Sequence, residues 1–112
     1  MTIEILYFAD CPGAEPSRAL VLNMLEHEGL TATVEMVAIN DPETARAGRF
    51  LGSPTVQVNG VDIEPARRAD TSYALACRTY PAAQGRSGVP PAEMIRAAIL
   101  HPGKENWEGK AE

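Results

Sequence analysis

The first forty residues read as strand, helix, strand, and that order constrains everything after it. Residues 2–8 (T-I-E-I-L-Y-F) are rich in β-formers and nearly continuous in apolar character, the pattern of a central strand buried on both faces. A helix is predicted over residues 14–28, with Leu20, Leu22, Met24 and Leu25 forming a broad apolar stripe. Pro16 suits its first turn, where a missing N–H costs nothing, and Gly29 suits its C-terminal stop. Residues 33–39 form the second strand. A β-α-β unit makes its two strands parallel, joined by a right-handed crossover.

The next elements carry stronger local signals. Asn40-Asp41-Pro42-Glu43 supplies a capping side chain, a proline and an acid in helix-start order, so a short helix is expected over residues 42–47. Residues 55–58 read as the third strand. Asn59-Gly60 is the strongest short hairpin signal, and residues 61–64 return as the fourth strand, antiparallel to the third. Pro90-Pro91 opens a last helix over 92–100, with Met94, Ile95 and Ile99 apolar; residues 101–112 show no periodicity and read as a mobile tail. The expected fold is α/β, a four-stranded mixed sheet in the order β-α-β-α-β-β-α, with helices covering both faces.

Residues 65–88 interrupt that pattern before the last helix. They hold Arg67, Arg68, Arg78 and Arg86 against Asp70 alone, a net charge of +3, which leaves -8 on the rest of a chain of net charge -5. Asp70 is expected to cap a short helix running through Tyr80 and ended by Pro81. On it Tyr73, Cys77 and Tyr80 would share one face, at spacings of four and three.

A chain of 112 residues is one domain by length, here residues 1–100 plus the tail, and it can build a core without disulfides or metals. Its negative charge disfavours nucleic acid, and no apolar run approaches the roughly 18 residues of a membrane span. Residues 1–8 lack a basic n-region and carry Glu4, so a cytoplasmic location is expected. Two cysteines make no secreted disulfide framework. A scarce cysteine in a reducing compartment is more often catalytic, redox-active or metal-binding.

Cys11 lies between the first strand and the N-terminus of the first helix, and Ser53-Pro54-Thr55 opens the third strand. In these two features the chain resembles the thioredoxin/glutaredoxin-like superfamily. The resemblance covers residues 2–64 well and the last helix loosely; residues 65–88 are an insertion by comparison. Phe8-Ala9-Asp10-Cys11-Pro12 and Phe50-Leu51-Gly52-Ser53-Pro54-Thr55 also resemble small bacterial thioredoxin-like proteins sometimes labelled as relatives of alkylmercury lyase. The resemblance implies a cis Pro54 beside a reactive Cys11. It also implies that the backbone of Ser53 and Thr55 pairs with the partner in a mixed disulfide. One departure matters: Cys11-Pro12-Gly13-Ala14 is C-x-x-A where the family has C-x-x-C, so a local dithiol is excluded and monothiol chemistry is not.

Cys11 is the first candidate catalytic residue, because a thiolate at a helix N-terminus faces free backbone N–H groups and the positive end of the dipole. Asp10 is a candidate proton acceptor, or a simple loop cap. Ser53, Pro54 and Thr55, with Pro12 and Gly13 beside the thiol, make the expected substrate-binding surface. Cys77 has two open readings: a distal resolving cysteine, or core packing between Tyr73 and Tyr80. Bridging would require Cα atoms within about 7 Å. The arginines of the insertion suit an anionic partner, such as the carboxylates of a small thiol, or form a solvated face. His27 and His101 lack metal-ligand spacing, no metal site is expected, and Met24, Met36 and Met94 read as core.

Three functions follow. The first is thiol-disulfide exchange at Cys11 with protein or small-molecule thiols and disulfides, resolved by Cys77 or by glutathione or another low-molecular-weight thiol, with no tightly bound cofactor. The second is thiolate binding of a soft ion such as mercury or copper(I). The third is a non-catalytic binding module on the same fold.

Overall fold

In the computed structural model, which describes residues 1–102, β1 (Thr2–Tyr7) is the hub of a four-stranded sheet. β2 (Thr33–Ala38) runs parallel to it, Thr2 opposite Thr33 and Tyr7 opposite Ala38. β3 (Thr55–Val58) runs antiparallel on its other side, Ile3 opposite Val58 and Leu6 opposite Thr55. β4 (Val61–Asp62) completes the order β2-β1-β3-β4. This is a mixed α/β architecture, as the strand patterning requires.

Alternation along the strands sorts the core into two layers. Ile3, Ile5, Val56 and Val58 point to one face and pack with Val21 and Leu25 of α1 (Ala14–Glu28) and Ile95, Ala98 and Ile99 of α3 (Ala92–Leu100). Leu6 points to the other face and packs with Ile39, Phe50 and Ala45 of α2 (Pro42–Ala47). Side chains as fully buried as Ile3, Ile5 and Ile95 each stabilise the fold by about 1.5–3 kcal/mol.

Several helix signals act as read. The Asp41 carboxylate accepts from the Thr44 N–H at 2.8 Å and from its hydroxyl at 2.9 Å, capping α2. Gly29, at φ 69°, ends α1, its N–H donating to Glu26 O, while Leu30 N–H donates to Leu25 O. The α1 stripe is narrower than expected, however: Ala14, Ser17, Val21 and Leu25 are buried at spacings of three and four, and Leu22 is 39% exposed. Leu22 lies about 100° around the helix from Val21, off the buried face.

The hairpin also forms, with Asn59 at φ 52° and Gly60 at φ 82°. Asn59 ties its turn to the start of β1, accepting from the Thr2 N–H and donating its own N–H to the Thr2 carbonyl. The fourth strand is shorter than 61–64, because the Asp62 carboxylate takes the Glu64 N–H at 2.9 Å and bends the chain into a 3₁₀ turn at Pro65–Arg67.

The insertion differs most from expectation. Residues 70–80 do not form a helix. Asp70 caps only a local turn, accepting from the Ser72 N–H at 2.8 Å. The chain then bonds to Phe50 and Ser53 from Ala74, Ala76 and Arg78, bending at Leu75–Ala76, and enters a two-stranded ribbon, β5 (Tyr80–Ala82) and β6 (Gly85–Ser87). Tyr73, Cys77 and Tyr80 therefore share no helical face. Tyr80 is fully buried, and Cys77 is exposed rather than packed in a core. The tail expected over 101–112 lies, from residue 103 on, outside the described residues.

Arg78 explains why the insertion folds this way. Thr55, Gln57, Asp62 and Glu64 place polar groups on the β3–β4 face opposite Val56, Val58 and Ile63, and they are buried. Arg78, 3% exposed, enters that layer. Its guanidinium donates twice to Asp62 (2.8 and 2.9 Å), to Glu64 (3.1 Å) and to the Thr55 hydroxyl (3.1 Å), and stacks 4.4 Å from the Tyr80 ring centre. Burial alone would lower the Arg78 pKa, but its hydrogen bonds to Asp62 and the surrounding charges raise it, so the side chain stays cationic.

Candidate functional site

Cys11 sits where β1 hands over to α1. Its loop is held by local hydrogen bonds: Cys11 N–H to Phe8 O at 3.3 Å, Ala14 N–H to Cys11 O at 3.3 Å, and the Ser17 N–H and hydroxyl to Gly13 O at 3.1 and 2.7 Å. The thiol is free and half-buried. Asp10 before it is exposed, with φ 66°, a conformation that Asp and Asn tolerate better than most residues. Pro12 is exposed and Gly13 is buried. A Cβ on Gly13 would run into the Gly88 carbonyl and the Pro54 ring, so glycine is what lets the insertion's end close against this loop.

Beside the loop lies Ser53-Pro54, whose peptide bond is cis. Ser53 is 2% exposed, and its hydroxyl accepts from the Phe8 N–H at 3.3 Å. The Tyr80 hydroxyl donates to the Pro54 carbonyl at 2.6 Å. Thr55 is fully buried, paired with Leu6 in the sheet and bonded to Arg78, so it holds the strand together rather than facing a substrate.

The expectation that the Ser53 backbone is offered to a partner is corrected. Its N–H donates to Ala76 O at 2.8 Å, and its carbonyl accepts from the Arg78 N–H at 3.0 Å. Those bonds make Ser53 and Cys77 partners in an isolated parallel bridge. The chain's own insertion thus fills the position. Gly52 permits it: at φ 125°, a Cβ there would lie 2.8 Å from the Arg78 Cβ.

The two cysteines, 66 positions apart, are each linked to Ser53, Cys77 directly and Cys11 by way of Phe8. Ser53 reaches the Cys11 loop through its hydroxyl and Phe8, and it pairs with Cys77 through its backbone. Both thiols are free.

The arginines of the insertion serve other places. Arg78 is buried, and Arg86 bonds to the Thr79 hydroxyl and carbonyl at 2.8 and 2.7 Å. Arg67 and Arg68 line a small cavity with Arg49, Gln57, Gly60 and Tyr73. That cavity adjoins the Asn59–Gly60 turn, at the start of β1, whereas Cys11 follows its end. His27 and His101 are exposed.

Sequence reading missed Arg78, Asp62 and Glu64. Their signal was an alternation, Thr55, Gln57, Asp62 and Glu64 against Val56, Val58 and Ile63, which asks for a buried cation over the hairpin. Comparison of the chain with family models, with curated proteins and with solved structures finds no match.

Proposed function

We propose that this chain is a thiol-disulfide exchange protein of thioredoxin-like fold, in which Cys11 is the attacking thiol and Cys77 the resolving one. The sheet order and the place of Cys11 at the entry to α1 support the fold. One observation carries the assignment of Cys77: its bridge to Ser53, the residue whose hydroxyl holds the Cys11 loop. The missing cysteine at position 14 is replaced by one delivered from the insertion.

The chemistry balances with a disulfide as oxidant. Cys11 thiolate attacks R–S–S–R′, forming Cys11–S–S–R and releasing R′–S⁻. Cys77 thiolate then attacks the Cys11 sulfur, forming the Cys11–Cys77 disulfide and releasing R–S⁻. Two protein thiols lose two electrons and two protons, and the substrate disulfide becomes two thiols. A low-molecular-weight thiol of the cytosol, in excess, reverses the pair. Asp10, exposed next to Cys11, is the nearby group able to take a proton.

Intact-mass alkylation across a glutathione redox series, on wild type, Cys11→Ser and Cys77→Ser, tests this. A two-hydrogen mass loss without dimerisation, absent from both variants, is the expected result. A glutathione adduct on Cys11 alone assigns monothiol exchange and removes Cys77 from the mechanism. Two persistently free thiols overturn the redox reading. The same two thiols suit a soft ion, and a copper(I) titration lost in either variant would then replace it.

A further inference from the structure

Resting on that reading of Cys11, we infer that the site takes compact, low-molecular-weight disulfides and thiols and excludes an extended polypeptide. A polypeptide strand docks on a sheet by pairing with free N–H and C=O groups at an edge. The Ser53 backbone groups, just before the start of β3 and beside the Cys11 loop, are both spent, the N–H on Ala76 and the carbonyl on Arg78. Upstream, the Phe50 carbonyl is spent on the Ala74 N–H at 3.1 Å. Residues 74–78 thus run as a strap along the place an incoming strand would occupy.

The strap is anchored, not merely laid down. Lifting it would withdraw Arg78 from Asp62 and Glu64, both more than nine-tenths buried, and leave two carboxylates without their cation. On the other flank, the Gly88 carbonyl closes against Gly13. What remains open around Cys11 is its own loop, where Ala9, Asp10 and Pro12 are exposed. A small disulfide needs only a sulfur in line with the Cys11 thiolate. It forms no backbone pairs, so the strap costs it nothing.

The test uses Cys77→Ser, which leaves Cys11 as the sole thiol and keeps the bridge backbone. Two probes carry the same chromophoric leaving group, thionitrobenzoate: its mixed disulfide with mercaptoethanol, and its mixed disulfide with the cysteine of a ten-residue unstructured peptide. In each, Cys11 bonds to the probe sulfur and thionitrobenzoate leaves. Relative to free cysteine as nucleophile, the peptide probe is expected to react more slowly than the compact one by about tenfold or more, because the strap stands where its flanking residues would lie. Adding Arg78→Met is expected to bring the peptide rate up toward the compact one while leaving the compact rate alone. Should that variant fail to fold, hydrogen exchange of the Ser53 and Arg78 amides is the second measurement, and strong protection is expected. Equal normalised rates for the two probes, or free exchange at Ser53, overturn the selectivity while leaving Cys11 reactive. Failure of both probes to react overturns the thiol-exchange reading itself.

Discussion

The Tyr80 hydroxyl donates to the Pro54 carbonyl at 2.6 Å, joining the first residue of the insertion's ribbon to the start of β3. Both groups are buried, so Tyr80→Phe leaves an acceptor without a partner. The expected cost is about 1–3 kcal/mol, read as a lower urea midpoint at unchanged slope.

Tyr80 also sets an alkaline limit. Burial, partly offset by Arg78, pushes its phenol pKa up from the ordinary value. A raised folded-state pKa contributes stability that is complete below the unfolded value, about 10, and is lost as pH rises through the folded one. Thermal melts from pH 8 to 11 are expected to fall steeply above about pH 10 in wild type and less steeply in Tyr80→Phe.

At the acidic end the relevant group is Asp41. Hydrogen bonds from the Thr44 N–H and hydroxyl hold its carboxyl below the usual range. A depressed folded-state pKa contributes stability that is present above the unfolded value, about 3.9, and is lost as pH falls through the folded one. Asp41→Ala should lower the melting temperature at neutral pH and flatten its decline in acid. Carbon-detected titration of the Asp41 carboxyl measures the shift directly.

Removing the cation from the buried cluster is the largest single change predicted. Arg78→Met leaves Asp62 and Glu64 buried without their cation, at an expected cost of about 3–5 kcal/mol. Adding Asp62→Asn and Glu64→Gln should recover part of that loss. Urea unfolding of the single and triple variants decides whether the cluster acts as a unit.

Core and surface leucine-type positions separate cleanly. Ile5→Ala, at a fully buried site in β1, should cost about 2–5 kcal/mol, whereas Leu22→Ala, on the exposed side of α1, should change stability by about 0.5 kcal/mol or less. Equilibrium unfolding of the two variants checks both.

Much of this was legible in the sequence where the signal is local. Asp41 with Pro42, Gly29 and Asn59-Gly60 are punctuation whose physics involves neighbouring residues only, and α1, α2, β3 and α3 begin and end where read. Cys11 at the mouth of α1 was legible for the same reason. The insertion was not. Tyr73, Cys77 and Tyr80 match a helical spacing, yet Phe50 and Ser53 offer backbone groups that must be paired once buried, and Ala74, Ala76 and Arg78 satisfy them from a non-helical segment bent at Leu75–Ala76. That demand arises from a segment more than twenty residues away, and no window along the chain contains it. The occupied Ser53 backbone is the same fact seen from the site.

Each polar group of Ser53 is engaged: its N–H donates to the Ala76 carbonyl, its carbonyl accepts from the Arg78 N–H, and its hydroxyl accepts from the Phe8 N–H. Because Cys77 and Arg78 are adjacent, the ion cluster that buries one also sets the phase of the other. Sliding the strap by a single residue would put Ala76 or Arg78 opposite Ser53 and swing the guanidinium to the wrong side of the chain. A change in the insertion's length must therefore be absorbed before Ala74. From Ala74 to Arg78 the insertion behaves like a keyed shaft, turning only if the whole lock is rebuilt.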